Sequence, residues 1–164
     1  MSKRIANIGL MTALAMIFSY VEAMLPINFG IPGVKIGIAN LVVVSGVYIL
    51  NIKDVWMISM IRIFLMGLLF GNGVSLIYSL SGGVLSLLVM MLLKKSGIFS
   101  IKGVSVAGAV SHNIGQLIAA SVVIGNLSIF YYFPVLLIAG VVMGIIIGML
   151  SGRILTGVKP EMNN

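Results

Sequence analysis

The sequence predicts an all-α membrane protein, a compact bundle of six transmembrane helices with both termini on the cytoplasmic side. Three observations carry this expectation. Of 164 residues, 60% are hydrophobic and only 8% charged, where a soluble domain carries roughly a quarter charged. The apolar residues fall into six runs divided by short polar, proline or glycine-marked breaks. The basic residues gather in alternate breaks, as they do in the cytoplasmic loops of membrane proteins.

The first run, Ile5–Leu25, follows M-S-K-R and is closed by Pro26. It is too long for the apolar core of a signal peptide and is read as a retained span. The second, Ile36–Leu50, is short for a full crossing. The third, Asp54–Phe70, ends at Gly71-Asn72-Gly73, and the fourth, Val74–Leu93, is stopped by Lys94-Lys95. Val104–Gly125 and Phe133–Ile154 are the fifth and sixth. Residues 1–164 thus form a single six-helix domain. Short connections predict that sequential helices pack antiparallel as neighbours. The longest external connection, Pro26–Val34, holds two prolines and two glycines and reads as a turn-rich segment, either a cap over a cavity or a plain connector.

With the N-terminus inside, Lys3, Arg4, Lys53, Lys94, Lys95, Lys102, Arg153 and Lys159 are cytoplasmic, Lys35 is external and Arg62 lies within span three. This bias orients the chain with both ends in the cytoplasm, and the membrane is read as the bacterial plasma (inner) membrane. A net charge of +7 spread in this way argues for a membrane rather than nucleic acid as the partner.

Small residues form ridges that let helix backbones approach. Gly9 and Ala13 make one on span one, Ala15, Ser19 and Ala23 a second, and Gly140, Gly144, Gly148 and Gly152 a third on span six. Each suits packing inside the bundle or a partner helix.

Polar residues inside apolar spans carry the functional reading. Ser105–Leu117, S-V-A-G-A-V-S-H-N-I-G-Q-L, sets His112, Asn113 and Gln116 near the centre of span five. His112 and Gln116 are one turn apart on one face. Groups at that depth have no bulk water and are expected to face protein, ligand or a wet cavity. Arg62 cannot shed its charge and needs an anion, carbonyls or water. Glu22, in the outer half of span one, either pairs structurally with Arg62 or Lys35, or helps to line an anion-receiving cavity. Asn40 would add an amide, and Tyr78, Ser79 and Ser81, before a Gly82-Gly83 break, a wall. The set Glu22, Lys35, Asn40, Arg62, His112, Asn113 and Gln116 describes a polar small-molecule pocket open outward and floored near the midplane. Asp54, at a helix start, reads as a cap.

Several chemistries lack their residues. There is no cysteine and a single histidine, so no thiol nucleophile and a poorly supplied metal site. No G-x-x-x-x-G-K-[ST] loop is present. No carboxylate pair suits glycoside chemistry or a magnesium–diphosphate site, and no Ser-His-acid set is suggested. No catalytic residues and no cofactor are expected, and the chain is not read as an autonomous enzyme.

Gly33–Leu41 (G-V-K-I-G-I-A-N-L), Ile61–Gly71, Ser79–Met90, Gly103–Leu117 and the glycine-rich sixth span resemble the bacterial Gx transporter family. Its members are also labelled heptaprenyl diphosphate synthase component I. In size and six-helix layout that family is similar to the substrate-binding S components of energy-coupling-factor transporters. The resemblance implies capture of a micronutrient outside, with a transmembrane coupling protein and two ATPase subunits driving delivery. It also implies that the small residues of span one, Gly9, Ala13, Ala15, Ser19 and Ala23, meet the coupling protein. Two alternatives stand beside this. One is a non-catalytic membrane subunit associated with prenyl diphosphate or quinone biosynthesis, and the other a self-sufficient secondary carrier.

Overall fold

A computed structural model describes residues 2–24 and 37–162. The expected external connection at 26–34, and Lys35 with it, lie outside the described residues. The described residues form six α-helices: α1 (Ser2–Met24), α2 (Asn40–Ile49), α3 (Ile52–Phe70), α4 (Gly73–Ser96), α5 (Ile101–Ile124) and α6 (Phe133–Met162). A short 3-10 helix, Leu127–Tyr132, leads into α6. No strand occurs among the described residues.

Local chemistry sets the helix ends. Asn72 and Ser75 form a reciprocal capping box at the start of α4, and the Ser100 hydroxyl accepts from the Gly103 N–H to cap α5. The helices α4 and α5 stop at Gly97 and Gly125, both at φ 69°, a left-handed conformation that favours glycine. Lys94 and Lys95 therefore lie in the last turn of α4 rather than ending it. Gly82-Gly83 does not interrupt α4, which runs straight through both residues.

Among the described residues, four helical segments are long and apolar enough to cross a membrane: Lys3–Met24, Gly73–Ser96, Ile101–Ile124 and Leu127–Val158. The ten residues of α2 span about 15 Å, half of a bilayer core. Apolar side chains cover the outside of the bundle, with Leu10, Leu68, Leu92, Val122 and Ile138 among the most exposed. An apolar exterior around polar interior positions is the pattern of a helical membrane protein.

The helices form a ring in the order α1, α3, α4, α5, α6, α2 and back to α1. Sequential neighbours pack closely only from α3 onward. In the first half α1 rests mainly on α3 and α2 on α6, so the expected sequential packing gives way to tertiary pairing. Along α6, a Cβ added at Gly140, Gly144 or Gly148 would press on Val110, Val106 and Lys102 of α5. That ridge therefore packs inside the bundle, except at Gly152, which has open space around it.

A valine-rich core of Val43, Val44, Val47, Val55, Leu87, Met90, Val104 and Ile147 fills one end of the ring. Arg4 and Asp54 join the starts of α1 and α3 at that same end, with Arg4 Nε 2.9 Å and 3.1 Å from the two carboxylate oxygens. Asp54, expected as a cap, sits in the first turn of α3 and serves instead as the partner of Arg4. Lys94 Nζ donates to the Val47 carbonyl there. The basic end is thus plugged by apolar packing and clasped at its rim.

Candidate functional site

Above that core the ring encloses a cavity of about 350 Å³. Glu22, Asn40, Arg62, His112, Asn113 and Gln116 all line it, brought there from α1, α2, α3 and α5. Val44, Met90 and Ile147 belong both to the core and to the cavity wall, and they form its floor. Since Met90 lies in the last third of α4 and Ser105 in the first third of α5, the floor is deeper than the midplane expected from sequence.

Each polar group is placed by local packing. A Cβ at Gly82 would come within 2.8 Å of the His112 carbonyl oxygen, 2.9 Å of Gln116 Cγ and 3.0 Å of His112 Cε1. A Cβ at Gly115 would reach 2.7 Å from the Ser81 carbonyl oxygen. The missing side chains let α4 and α5 cross closely, and His112 and Gln116 occupy the room at that crossing. Asn113 Nδ2 donates to the Leu136 carbonyl at 2.8 Å, tying α5 to α6 and fixing the amide.

Arg62 is the buried cation of the site, only 9% exposed. Its Nε has no hydrogen-bond partner among the described residues. Glu22 shares the cavity with Arg62, but the only ion pair within 4 Å among the described residues is Arg4–Asp54. Instead Glu22 Oε1 accepts from the Gly37 N–H at 2.6 Å, which links the end of α1 to the approach to α2. A direct Glu22–Arg62 salt bridge, one of the structural alternatives, is absent among the described residues.

The cavity also uses residues the sequence reading left out. Ser75 and Ser86 line it from α4, and Ser105 from α5. Ser79 had been named as wall, whereas Tyr78 and Ser81 do not line it. Positions 75, 79, 86 and 90 recur at four- and seven-residue steps, and 105, 109, 112 and 116 at four- and three-residue steps, so each set shares one helix face. That periodicity is the signal which would have found the serines. Met66, Met90 and Met143 complete the wall with flexible apolar side chains.

The two small-residue rows of α1 separate. Gly9 and Ala13 are exposed, whereas Ala15 is fully buried and Ser19 and Ala23 line the cavity. Ala15 and Ser19 therefore do not lie on the outer face with Gly9 and Ala13. No three metal-ligating side chains gather among the described residues.

The arrangement is a polar cavity inside a lipid-facing helical ring, with one buried guanidinium and several amides and hydroxyls around it. Such a site suits a small solute bearing an acceptor group. The chain belongs to the heptaprenyl diphosphate synthase component I family, whose model matches residues 11–154. That match runs from α1 into α6. Comparison with curated proteins and with solved structures gives no match.

Proposed function

We propose that this chain is the substrate-binding membrane component of an uptake system for a small polar anion. The carrying observation is the Arg62 side chain, buried in the cavity with an unpartnered Nε among the described residues. A guanidinium binds carboxylate or phosphate through two parallel N–H donors, and a free Nε leaves one side of that fork open. Arg62 and His112 contact the anionic or acceptor end of the solute. Asn40, Asn113 and Gln116 orient it, and Glu22 balances charge or meets a cationic group. By the sequence reading alone, Lys35 joins Arg62 and His112 at the acceptor end of the solute.

The size of the cavity supports a compact solute. At about 350 Å³ it holds roughly a dozen water-sized groups, far fewer than the 35 carbons of a heptaprenyl chain. The proposed orientation has both termini in the cytoplasm of a bacterial cell, following the basic residues. The resemblance to S components supports separate coupling and ATPase subunits as the energy source, with which the lack of a G-x-x-x-x-G-K-[ST] loop in this sequence agrees. Binding, not catalysis, is its part.

The family description favours a second reading, a non-catalytic membrane subunit that accompanies prenyl diphosphate synthesis. Affinity purification from native membranes separates the two. The transport reading expects an ATPase and a membrane coupling protein in the eluate. Recovery of a soluble prenyl-chain synthase in their place would replace it with the second reading.

A further inference from the structure

At the basic end of the bundle, Arg4 of α1, Lys53 of α3 and Lys94 of α4 line one shallow recess with Leu50, Asn51 and Ile52. Three helices bring these cations together, and like charges so placed repel unless an anion lies among them. Asp54 supplies one negative charge through its pair with Arg4. Three positive charges against one leave an excess of two.

Their donors are not used up. Arg4 commits Nε and Nη2 to Asp54, which leaves Nη1. Lys94 gives an N–H to the Val47 carbonyl and keeps two more. That contact, with the Tyr48 ring 5.3 Å from Nζ, holds Lys94 in place rather than leaving it to wander in solvent. Apolar surface flanks the recess. Ile5 and Ile52 are 64% and 58% exposed, and Met57, Ile61, Phe64 and Leu68 form an exposed stripe along α3 on the face that carries Lys53. A soluble anion has no use for such a stripe, whereas a lipid matches both parts.

We propose that this recess binds the phosphodiester of an anionic phospholipid, whose acyl chains lie along the exposed face of α3. The valine-rich core stands between this site and the central cavity. The lipid bridges α1, α3 and α4 at their shared rim and screens the excess charge there.

Native mass spectrometry of the full-length protein, titrated with dioleoylphosphatidylglycerol or dioleoylphosphatidylcholine, tests the assignment. One phosphatidylglycerol should be retained at concentrations where phosphatidylcholine is not. Lys53→Gln, at an exposed side chain, should weaken that binding about fivefold, and adding Lys94→Gln about twenty-five-fold. Lys95→Gln, exposed at the same end but outside the recess, should leave it unchanged. Since Lys94→Gln also removes the tie to Val47, Lys53→Gln alone decides if the double variant unfolds. Equal retention of the two lipids overturns the proposal, as does a Lys95→Gln loss equal to that of Lys53→Gln. Displacement of the lipid by millimolar inorganic phosphate would assign the recess to a soluble anion and overturn it equally.

Discussion

Replacing Arg62 by Met separates a structural arginine from a binding one. Met keeps the length and apolar stem of the side chain and removes the guanidinium. That group is 9% exposed, with an unpartnered Nε among the described residues and no salt bridge to Glu22. A buried donor left unsatisfied costs about 1–3 kcal/mol, and with no salt bridge to Glu22 the loss of Arg62 strands no paired carboxylate. Arg62→Met should therefore raise the unfolding free energy of the ligand-free protein by about 1–3 kcal/mol while abolishing solute binding. Water in the cavity would shrink the gain toward zero without changing its sign. Denaturant titration in detergent, followed through the fluorescence of Trp56, which packs on the valine core, reads the change. Arg62→Met destabilised by a similar amount would show that the guanidinium holds the fold together, and the binding role would fall.

Three further outcomes follow from the packing. Gly144→Ala sets a Cβ 2.5 Å from Val106 Cα, so α5 must shift by about 0.9 Å to reach the 3.4 Å of ordinary contact. It should cost about 1–3 kcal/mol, while Gly152→Ala, with nothing within 4 Å, should be neutral or stabilising by up to about 1 kcal/mol. Equal effects in the same titration would contradict the α5–α6 contact. Arg4→Gln should destabilise more than Asp54→Asn, because it strands a carboxylate that is 4% exposed, whereas Asp54→Asn frees an arginine that is 56% exposed and readily hydrated; the reverse order of unfolding midpoints would refute that account. Asn113→Ala removes the bond to the Leu136 carbonyl and should lower stability by about 1 kcal/mol, and an unchanged midpoint would deny that the amide ties α5 to α6.

Much of the cavity was legible because membrane spans make polar residues conspicuous. Glu22, Asn40, Arg62, His112, Asn113 and Gln116 stand out against apolar neighbours, and the fold brings all six to one cavity. That they share a cavity is a matter of geometry; that they bind a solute is the proposal. The depth of the floor was not legible, since Val44, Met90 and Ile147 look alike whether they face lipid, core or cavity. Nor was the ring order. Short connections favour sequential neighbours, but α2 is too short to pair along α1 and settles against α6. The Arg4–Asp54 clasp joins residues 50 apart, and helix-end chemistry alone suggested a local role for Asp54. The two rows on α1 differ only in phase around the helix, and tertiary packing decided which of them turned inward.

The central claim is that the cavity around Arg62 holds a small anionic solute. Native mass spectrometry of the detergent-purified wild type beside Arg62→Ala and His112→Ala tests it most directly. A single compact anion retained by the wild type and lost from both folded variants is the predicted result. Retention of the same molecule by folded Arg62→Ala, or a bound prenyl-chain synthase subunit in place of any solute, would contradict it.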